Sequence, residues 1–465
     1  MEKKPKTLGE LRKSGYQVLP VKEEMRKNLI AKVRRGEKLF SDIIGYDDTV
    51  IPAIENAILS GHDMIFLGER GQAKSRIMRK LVNLLDEEIP ILSRCEINDN
   101  PFNPICRKCK EVMKQEGEKA EISWLPREKR YAEKLSTPDV TIADLIGEVD
   151  PIKVAEGRYL SDELTIHYGL IPRINRGIFS LNELPDLSEK IQVGLFNLME
   201  ERDIQIRGFK IQLPIDIYIV ASANPEDYTN RGRIITPLKD RYGSQIRTHY
   251  PLSLTDEVSI IEQERSTFDD NGFVTVIPQF MKEIVVEITR CARIHPAINQ
   301  RSGVSVRMSI NNYENLLSNA LKRAIRLDEQ EVAPRITDLY SVIPSSIGKI
   351  ETLSLEEKGE DPIILEIIKK AILTVFNRLF VPENFESLLV KFSNGESIEV
   401  SESLPSQDYL KKIKELGGIG KASSHVKSSA SPAVTASMFE FVLEGLHLNR
   451  RLNKEEVGGR SFYHK

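Results

Sequence analysis

The stretch GERGQAKS, residues 68–75, ends in a lysine followed by a serine. An apolar run, MIFLG (residues 64–68), leads into it, and a run with helical character, RIMRKLVNLL, follows it. A strand, a glycine-containing loop and a helix in this order bind phosphates, because the loop amides and the helix N-terminus point at the anion. Lys74 would reach the β- and γ-phosphates of a nucleotide, and the Ser75 hydroxyl would ligate Mg²⁺. The predicted cofactor-binding residues of this loop are Gly68, Glu69, Arg70, Gly71, Gln72, Ala73, Lys74 and Ser75.

Ala73 stands where such loops carry a glycine directly before the lysine. Alanine is the smallest replacement, but its Cβ makes a positive φ unfavourable there. A chance Lys-Ser pair at the start of an ordinary helix is the alternative interpretation. The strand before the loop, the helix after it and the residues described next favour a phosphate loop.

Asn182 and Glu183 directly follow another apolar run, GIFSL (residues 177–181). A carboxylate at such a strand end can orient and deprotonate a water that attacks a phosphate, and we predict that role for Glu183. Asn182 stands where a second carboxylate is expected, and we predict that it holds Mg²⁺ through a water. The amide removes one negative charge near the ion, which should weaken Mg²⁺ affinity without affecting the base. The alternative for Glu183 is a solvated acid at a helix N-terminus.

Asn224 follows the apolar run IYIVAS (residues 217–222). A polar side chain at this strand end can contact both the γ-phosphate and the attacking water. Because the carboxyl ends of parallel strands meet at one edge of a sheet, we expect Lys74, Glu183 and Asn224 to lie together.

Three arginines are candidates for stabilising phosphoryl charge from further away. Arg241 lies just before the run QIRTHY (residues 245–250), and we predict that it projects into a neighbouring subunit's site. A structural Asp240-Arg241 pair is the alternative. In RSGVSVRMSI, either Arg301 or Arg307 could contact the γ-phosphate from a second domain, and Arg307 is the preferred candidate.

The order of apolar runs indicates the fold class. Five short apolar runs between residues 64 and 250 are separated by helical patterns, which is typical of an α/β domain with a parallel sheet. Long amphipathic patterns and few strand signals follow in residues 251–390. We therefore predict a three-layer αβα nucleotide-binding core with a parallel five-stranded sheet, followed by an all-helical lid domain. The strand candidates are residues 64–68, 89–95, 177–181, 217–222 and 245–250.

Composition limits the class of protein. The chain has 465 residues, 40% of them hydrophobic and 29% charged, as in soluble globular proteins. The sequence contains no run of 18 apolar residues, so we expect no membrane span. The N-terminal residues lack the apolar segment of a secretory signal, so we expect no such signal. Four cysteines predict no disulfide framework, so we expect a reducing, cytoplasmic location.

Charge is distributed unevenly along the chain. The net charge is −3, but residues 1–38 hold 12 Lys/Arg against 5 Asp/Glu, leaving about +7 there and about −10 elsewhere. A basic arm can contact nucleic acid or an acidic partner. The favoured interpretation is a solvated helical arm that covers a neighbouring surface, and nucleic-acid binding is not expected.

Three of the four cysteines cluster in the segment SRCEINDNPFNPICRKCKE. Cys95, Cys106 and Cys109 give the spacing C-x10-C-x2-C, which makes a zinc site conceivable. A structural zinc needs four ligands, however, and neither a fourth cysteine nor a histidine is close in sequence: His62 lies well upstream and His167 well downstream. Reduced structural thiols are the preferred interpretation, and zinc is the alternative.

Taken in order, these motifs resemble those of the AAA+ ATPases of the MoxR and magnesium-chelatase type over about residues 40–330. The segment before residue 177 resembles the helix-2 insert of the magnesium-chelatase ATPase subunit, through Leu145, Gly147, Asp150, Glu156-Gly157-Arg158 and Arg176-Gly177. Residues 191–227 resemble the following helix and hairpin, with Asp203–Arg207 pairing with Lys210–Leu213.

The resemblance implies a role for each motif. Residues 68–75 become Walker A, Asn182-Glu183 Walker B, Asn224 sensor 1, Arg241 the arginine finger and Arg307 sensor 2. It also implies ATP and Mg²⁺ as cofactors and assembly into a ring, usually a hexamer. A partner protein with a von Willebrand factor A (VWA) domain and a chaperone-like remodelling activity are expected from the family.

We predict four regions along the chain. Residues 1–40 form a basic N-terminal extension, and residues 41–250 form the ATP-binding core, with the cysteine-containing and helix-2 inserts at 96–176. Residues 251–390 form the helical lid. Residues 391–465, rich in serine and glycine at first, are a linker and a C-terminal helix.

Three functions remain open from the sequence. The first is a ring-forming ATPase that remodels or activates a partner. The second is a nucleotide-gated scaffold with negligible turnover, which Ala73 and Asn182 favour. The third, an enhancer-binding transcription activator, lacks a GAFTGA-like loop and a C-terminal helix-turn-helix pattern.

Overall fold

The computed structural model describes residues 4–149, 165–205, 212–224, 232–267, 272–353, 359–416 and 431–465. The chain divides into two compact units, Met1–His249 and Tyr250–Lys465. Asp150 and the Glu156-Gly157-Arg158 motif lie outside the described residues, as do residues 206–211 of the predicted hairpin.

In the described part of the first unit, five parallel strands form one sheet with the spatial order β11-β1-β10-β7-β4. Every residue of the strands that end in Asn182 and Ala223 is buried, which explains why both read as continuous apolar runs. The strands of the sheet are β1 (Met64–Leu67), β4 (Tyr131–Leu135), β7 (Gly177–Asn182), β10 (Ile217–Ala223) and β11 (Ser244–Arg247).

The predicted five-stranded parallel sheet is confirmed, but one of the predicted strands was wrong. The run at residues 89–95 forms β2 (Glu88–Leu92), which pairs antiparallel with β3 (Ile122–Pro126) in a separate two-stranded sheet. The fifth strand of the main sheet is β4 instead, which pairs with β7. As an edge strand β4 is only partly buried and carries polar residues, so it gives no continuous apolar signal.

Both faces of the sheet are covered, which confirms the three-layer architecture. Side chains alternate along β10: Tyr218 and Val220 join the core formed with the N-terminal helices, whereas Ile217, Ile219 and Ala221 join the core formed with the insert segments. The helices of this unit are α1 (Leu8–Lys13), α2 (Val21–Arg34), α3 (Val50–Leu59), α4 (Lys74–Lys80), α5 (Arg107–Glu116), α6 (Ile142–Leu145), α7 (Leu170–Arg173), α8 (Glu189–Gly194), α9 (Phe196–Glu200) and α10 (Thr236–Arg241).

The basic N-terminal segment packs into the first unit through α1 and α2. Val21, Met25 and Leu29 of α2 are fully buried in the core beside the sheet. Glu24 of the same helix forms a buried ion pair with Arg130, the residue before β4. This part of the chain therefore contributes to the fold of the core.

Two short antiparallel pairs complete the described first unit. One joins β5 (Gly147–Val149) to β6 (Ile166–Tyr168), and the other joins β8 (Asp203–Gln205) to β9 (Gln212–Pro214). In the second pair Ile204 is opposite Leu213, as the predicted hairpin requires.

The second unit is mainly helical and has its own apolar core. Its central helix, α18 (Pro432–Leu448), is buried along most of its length from Ala433 to Leu446. The helices of this unit are α11 (Leu254–Glu264), α12 (Gln279–Ala292), α13 (Arg307–Arg326), α14 (Ile343–Ser346), α15 (Asp361–Leu379), α16 (Glu386–Ser393), α17 (Ser406–Glu415) and α18 (Pro432–Leu448).

Short strands add to the predicted helical lid and C-terminal helix. β12 (Val274–Thr275) pairs with β13 (Glu331–Val332). β14 (Ile398–Val400), β15 (Asn453–Val457) and β16 (Arg460–His464) form an antiparallel sheet. β15 is mostly exposed and β16 is only partly buried, so both lack the apolar runs on which the strand predictions relied.

No helix among the described residues has both the length and the apolar character needed to cross a membrane.

Candidate functional site

The phosphate loop connects β1 to α4 in a conformation that two of its residues explain. Gly68 allows a close approach, since a Cβ there would lie 2.0 Å from the Thr248 hydroxyl oxygen. Ala73 adopts φ 57° and ψ 12°, the left-handed region, directly before Lys74 begins the helix. The positive φ is therefore kept although the residue is an alanine, for which it is unfavourable. The conformation costs roughly 1–2 kcal/mol relative to the right-handed region, and the surrounding loop maintains it.

Tyr46 and Thr248 hold the loop from the side. The buried Tyr46 hydroxyl lies 3.0 Å from the carbonyl oxygen of Gln72 and 2.7 Å from that of His249. The Thr248 hydroxyl donates to the side-chain oxygen of Gln72 over 2.7 Å. Burial raises the pKa of Tyr46 well above its ordinary value, so the hydroxyl remains protonated. Sequence reasoning missed Tyr46, which no phosphate-loop motif includes.

Lys74, Asn224 and Glu183 form one hydrogen-bonded chain. The Lys74 ammonium is buried and donates to the amide oxygen of Asn224, to the carbonyl of Gly68 and, over 2.8 Å, to the carbonyl of Glu69. Asn224 in turn donates from Nδ2 to the Glu183 carboxylate over 2.6 Å. The three residues predicted from separate motifs are therefore in contact at one edge of the sheet.

Glu183 lies just after the end of β7 with φ 55° and ψ 50°. This left-handed residue ends the strand and begins a short 3-10 turn, Leu184–Asp186. Its backbone N–H donates to the Ser222 hydroxyl over 3.3 Å, which ties the strand end to β10. The backbone turn directs the carboxylate to Asn224 instead of continuing the sheet.

Asn182 is buried beside the phosphate loop. The Ser75 hydroxyl donates to its side-chain oxygen over 3.4 Å, and the Ser222 hydroxyl donates to the same oxygen over 3.3 Å. The Asn182 side-chain NH₂ donates to the carboxylate of Glu133 on the neighbouring strand β4. A carboxylate is therefore adjacent to the position where the sequence has an amide.

Glu133 is a site residue that sequence reasoning missed. It also accepts hydrogen bonds from Arg79 of α4, over 2.6 Å and 2.9 Å. The hydrogen bonds from Arg79 lower the pKa of the Glu133 carboxyl, so it is ionised at neutral pH. Glu133 is the carboxylate in the middle of YAEKL (residues 131–135), and it could have been predicted as a site residue if that run had been recognised as a strand.

The donors present fit a magnesium nucleotide. The hydroxyl of Ser75, the amide oxygen of Asn182 and the carboxylate of Glu133 are oxygen ligands of the type that Mg²⁺ prefers. The left-handed residue before α4 and the N-terminal end of that helix suit an anion. Magnesium and nucleotide thus suit the same strand ends.

Arg241 is the last residue of α10, directly before β11. Its guanidinium pairs with Glu200, donates to the carbonyl of Pro237 over 2.8 Å and lies 4.7 Å from the centre of the Phe196 ring. Since β11 runs parallel to β1, Arg241 is at the opposite end of the strand from the phosphate loop. The structure does not bring Arg241 together with Lys74 and Glu183 in one chain.

Arg301 and Arg307 belong to the second unit, and both are exposed there. Arg307 is the first residue of α13, and its backbone N–H donates to the Ser305 hydroxyl over 3.1 Å. Their predicted contact with a γ-phosphate stays a prediction.

Comparisons with known proteins find similar sequences and structures. A family model described as "Sigma-54 interaction domain" matches residues 156–238. The chain is 29% identical over 248 residues to magnesium-chelatase subunit ChlI of Nostoc sp., a match that covers 52% of this chain and 62% of that protein. It is also 29% identical over 239 residues to the ChlI homolog of Methanocaldococcus jannaschii, covering 50% and 60%.

Among solved structures, the complex between subunits BchI and BchD of magnesium chelatase is similar, with 18% identity and a TM-score of 0.36. The similarity covers 62% of this chain and 93% of that one. The chain spans about three fifths of the length of the two curated relatives. The chain therefore has a phosphate-loop αβα core of the AAA+ type, and its sequence is similar to that of magnesium-chelatase subunit ChlI.

Proposed function

We propose that this protein binds Mg-ATP at the phosphate loop and hydrolyses it. The observation that carries the proposal is the chain of hydrogen bonds from Lys74 through Asn224 to Glu183. It links the cation predicted to bind phosphate to the carboxylate predicted to activate water, through a side chain that can sense both. A purely structural role would not require a buried lysine at the start of α4.

Each side chain has a distinct task in the proposed reaction. Magnesium and the triphosphate supply an activated phosphoryl group. Lys74 neutralises phosphate charge and exchanges its present carbonyl contacts for phosphate oxygens. Glu183 accepts the proton of the attacking water, and Asn224 positions that carboxylate.

Glu133 and Asn182 together form the proposed metal side of the site. Because the Asn182 amide contacts the Glu133 carboxylate, the negative charge missing from the first Walker B position is supplied by the next strand. This arrangement favours hydrolysis over the nucleotide-gated scaffold, because Asn182, which lacks a carboxylate, was the main reason to expect weak metal binding.

The Mg²⁺ requirement for hydrolysis tests this division of roles. Glu133→Gln should raise the Mg²⁺ concentration at half-maximal turnover, and Asn182→Asp should lower it. Each shift should be about fivefold or more, because a unit charge ~4 Å from an ion is worth about 1 kcal/mol even in water. The measurement is steady-state phosphate release against Mg²⁺ at saturating ATP.

Glu128→Gln is the matched control, since it removes an exposed carboxylate that pairs with Arg127, just before the same strand. It should leave the Mg²⁺ requirement near that of the wild type. An unchanged requirement in both Glu133→Gln and Asn182→Asp would mean that neither residue acts on the metal.

The proposal extends to a ring with sites shared between subunits, with a hexamer as the expected size. Its support is the position of Arg241, which is remote from the phosphate loop of its own chain. The relatives are named as chelatase subunits, and one similar structure is a complex of two different subunits. We propose accordingly that hydrolysis remodels or activates a partner protein in the cytoplasm, with a VWA-domain protein as the candidate.

Mixing two inactive variants tests the shared site. Arg241→Ala and Lys74→Ala should each lack hydrolysis alone. Random mixing at equal amounts should restore about a quarter of the wild-type turnover, since that fraction of interfaces combines an intact Lys74 with an intact Arg241.

Glu200→Gln provides the control for a structural role of Arg241, because it removes the intrachain partner and leaves the arginine. We expect it to retain turnover. Mixtures that stay inactive at every ratio, although both variants assemble, would contradict an arginine that acts on the neighbouring site.

A further inference from the structure

A second cluster of polar side chains lies in the first unit, away from the phosphate loop. Cys95, Asp99, Cys106 and Cys109 each offer one ligand atom, and these four atoms all lie within 4.8 Å of one another. Cys106, Cys109 and Asp99 are buried, and Cys95 is partly exposed. Sequence reasoning found the three cysteines but missed the fourth ligand, because it searched only for cysteine and histidine.

Asp99 is the decisive member of the cluster. Its side chain is 0% exposed, and its Oδ1 atom has no hydrogen-bond partner among the described residues. The other oxygen, Oδ2, accepts from the backbone N–H of Cys106 over 3.1 Å. A buried carboxylate oxygen without a partner is costly, and a cation bound to it would offset that cost.

Backbone N–H groups point at two of the sulfur atoms. The Asp99 N–H donates to Cys95 Sγ over 3.3 Å, and the Cys109 N–H donates to Cys106 Sγ over 3.4 Å. Cys106 is the N-cap of α5 and Cys109 lies in its first turn. Both the N–H donors and the helix N-terminus stabilise thiolates, which are the metal-binding form of cysteine.

The dimensions suit a tetrahedral metal ion. With metal–sulfur bonds of about 2.3 Å, ligand atoms of a tetrahedral zinc site are ~3.8 Å apart, so the cluster needs only a small contraction. Three thiolates and one carboxylate around Zn²⁺ leave a charge of −2. Lys108 and Lys110 of the same segment add positive charge to it, whereas Arg107 pairs with Glu111.

We propose that Cys95, Asp99, Cys106 and Cys109 form a structural Zn²⁺ site. The donor set has four members and leaves no open position, which is typical of a structural zinc and not of a catalytic one. Three soft sulfur ligands favour zinc over the magnesium of the nucleotide site. This inference is independent of ATP hydrolysis.

The site would fix a loop that supports strand β7. Between two of the ligands, Asn98 donates to the carbonyl of Arg173 over 2.7 Å, and Asn175 donates to the carbonyl of Ile97 over 3.1 Å. Asn175 also accepts from the backbone N–H of Asp216. The metal therefore stabilises the chain just before the strand that ends in Asn182.

The test uses the full chain, purified without chelator from zinc-supplemented cells in the presence of a reducing agent. Elemental analysis should find one zinc per chain. A chelator should release it, expose the thiols to a thiol reagent and lower the unfolding temperature. Refilling with Co²⁺ should produce the absorption bands of tetrahedral cobalt and of thiolate-to-metal charge transfer.

Cys106→Ser and Cys109→Ser should abolish stoichiometric zinc. Asp99→Asn should accelerate zinc loss to the chelator by at least about tenfold, since even outer-shell partners contribute ~10–100-fold to metal affinity. Cys291→Ser is the matched control, because Cys291 is a buried cysteine of the second unit and should retain full zinc.

Measurements on the wild-type protein test the zinc site even if the ligand variants fail to fold. Wild-type protein without zinc, in which the three cluster thiols react with the thiol reagent before any chelator is added, would overturn the proposal. So would iron in place of zinc, or a mass two units lower from a disulfide among the three cysteines.

Discussion

Replacing Glu183 by glutamine should abolish ATP hydrolysis while ATP still binds. We expect turnover to fall by about 10²–10⁴-fold, the usual contribution of a general base. Glutamine has nearly the same shape but cannot accept the proton of the attacking water. The contact with Asn224 Nδ2, now 2.6 Å from the carboxylate, can persist through the glutamine oxygen. Phosphate release and equilibrium binding of a fluorescent ATP analogue would measure the two properties separately.

Glu189→Gln is the matched control for Glu183→Gln. Glu189 is the first residue of α8, and its side chain is exposed in a loose pair with Arg233. The Glu189→Gln variant should hydrolyse ATP at the wild-type rate. If Glu183→Gln also hydrolysed ATP at the wild-type rate, Glu183 would not be the general base, and the alternative of a solvated acid would hold.

Removing the charge of Glu24 should destabilise the first unit by about 3–5 kcal/mol, the range for breaking a buried ion pair. Both oxygens of Glu24 accept from the Arg130 guanidinium over 2.6 Å, and the two side chains are 3% and 1% exposed. Glu24→Gln would leave the buried arginine without its counter-charge. Denaturant unfolding followed by the fluorescence of Trp124, the one tryptophan of the sequence, reports on this unit.

An exposed pair on the same unit provides the comparison. Arg12 and Glu118 lie 3.3 Å apart with side chains 55% and 67% exposed, so Glu118→Gln should cost no more than about 1 kcal/mol. Equal small losses in Glu24→Gln and Glu118→Gln would show that the N-terminal segment does not stabilise the core through this ion pair.

The buried ion pair also links the N-terminal segment to the site. Arg130 donates from Nε to the carbonyl of Arg176, the residue directly before β7. Gly177 follows, and a Cβ there would lie 2.3 Å from the carbonyl oxygen of Arg130. Through Arg130, α2 therefore anchors the beginning of the strand that presents Asn182 and Glu183. The charge pattern alone had predicted that this helix is a solvated arm.

The site was predictable where a motif coincides with a buried strand. β1, β7 and β10 are central, so burial on both faces gives continuous apolar runs, and each run is followed by the polar residue that matters. Because all three strands are parallel, their carboxyl ends had to meet. The contacts of Lys74, Glu183 and Asn224 follow from that topology.

The residues that were missed depend on pairing between distant segments. Glu133 reaches Asn182 only because β4, a partly exposed edge strand, is placed beside β7, and its polar composition gave no strand signal. Asp99 joins the cysteines through the turn of its own loop, which spacing rules for cysteine and histidine do not include. Tertiary context, more than local propensity, determines both positions.

The most direct test of the account is the fate of ATP bound to an excess of wild-type protein. In a single-turnover experiment with Mg²⁺, radiolabelled ATP should convert completely to ADP and phosphate. Lys74→Ala should fail to bind it, and Glu183→Gln should hold it unchanged. Wild-type protein that binds ATP but returns it intact, even with Mg²⁺ in excess, would contradict hydrolysis and support a nucleotide-gated scaffold.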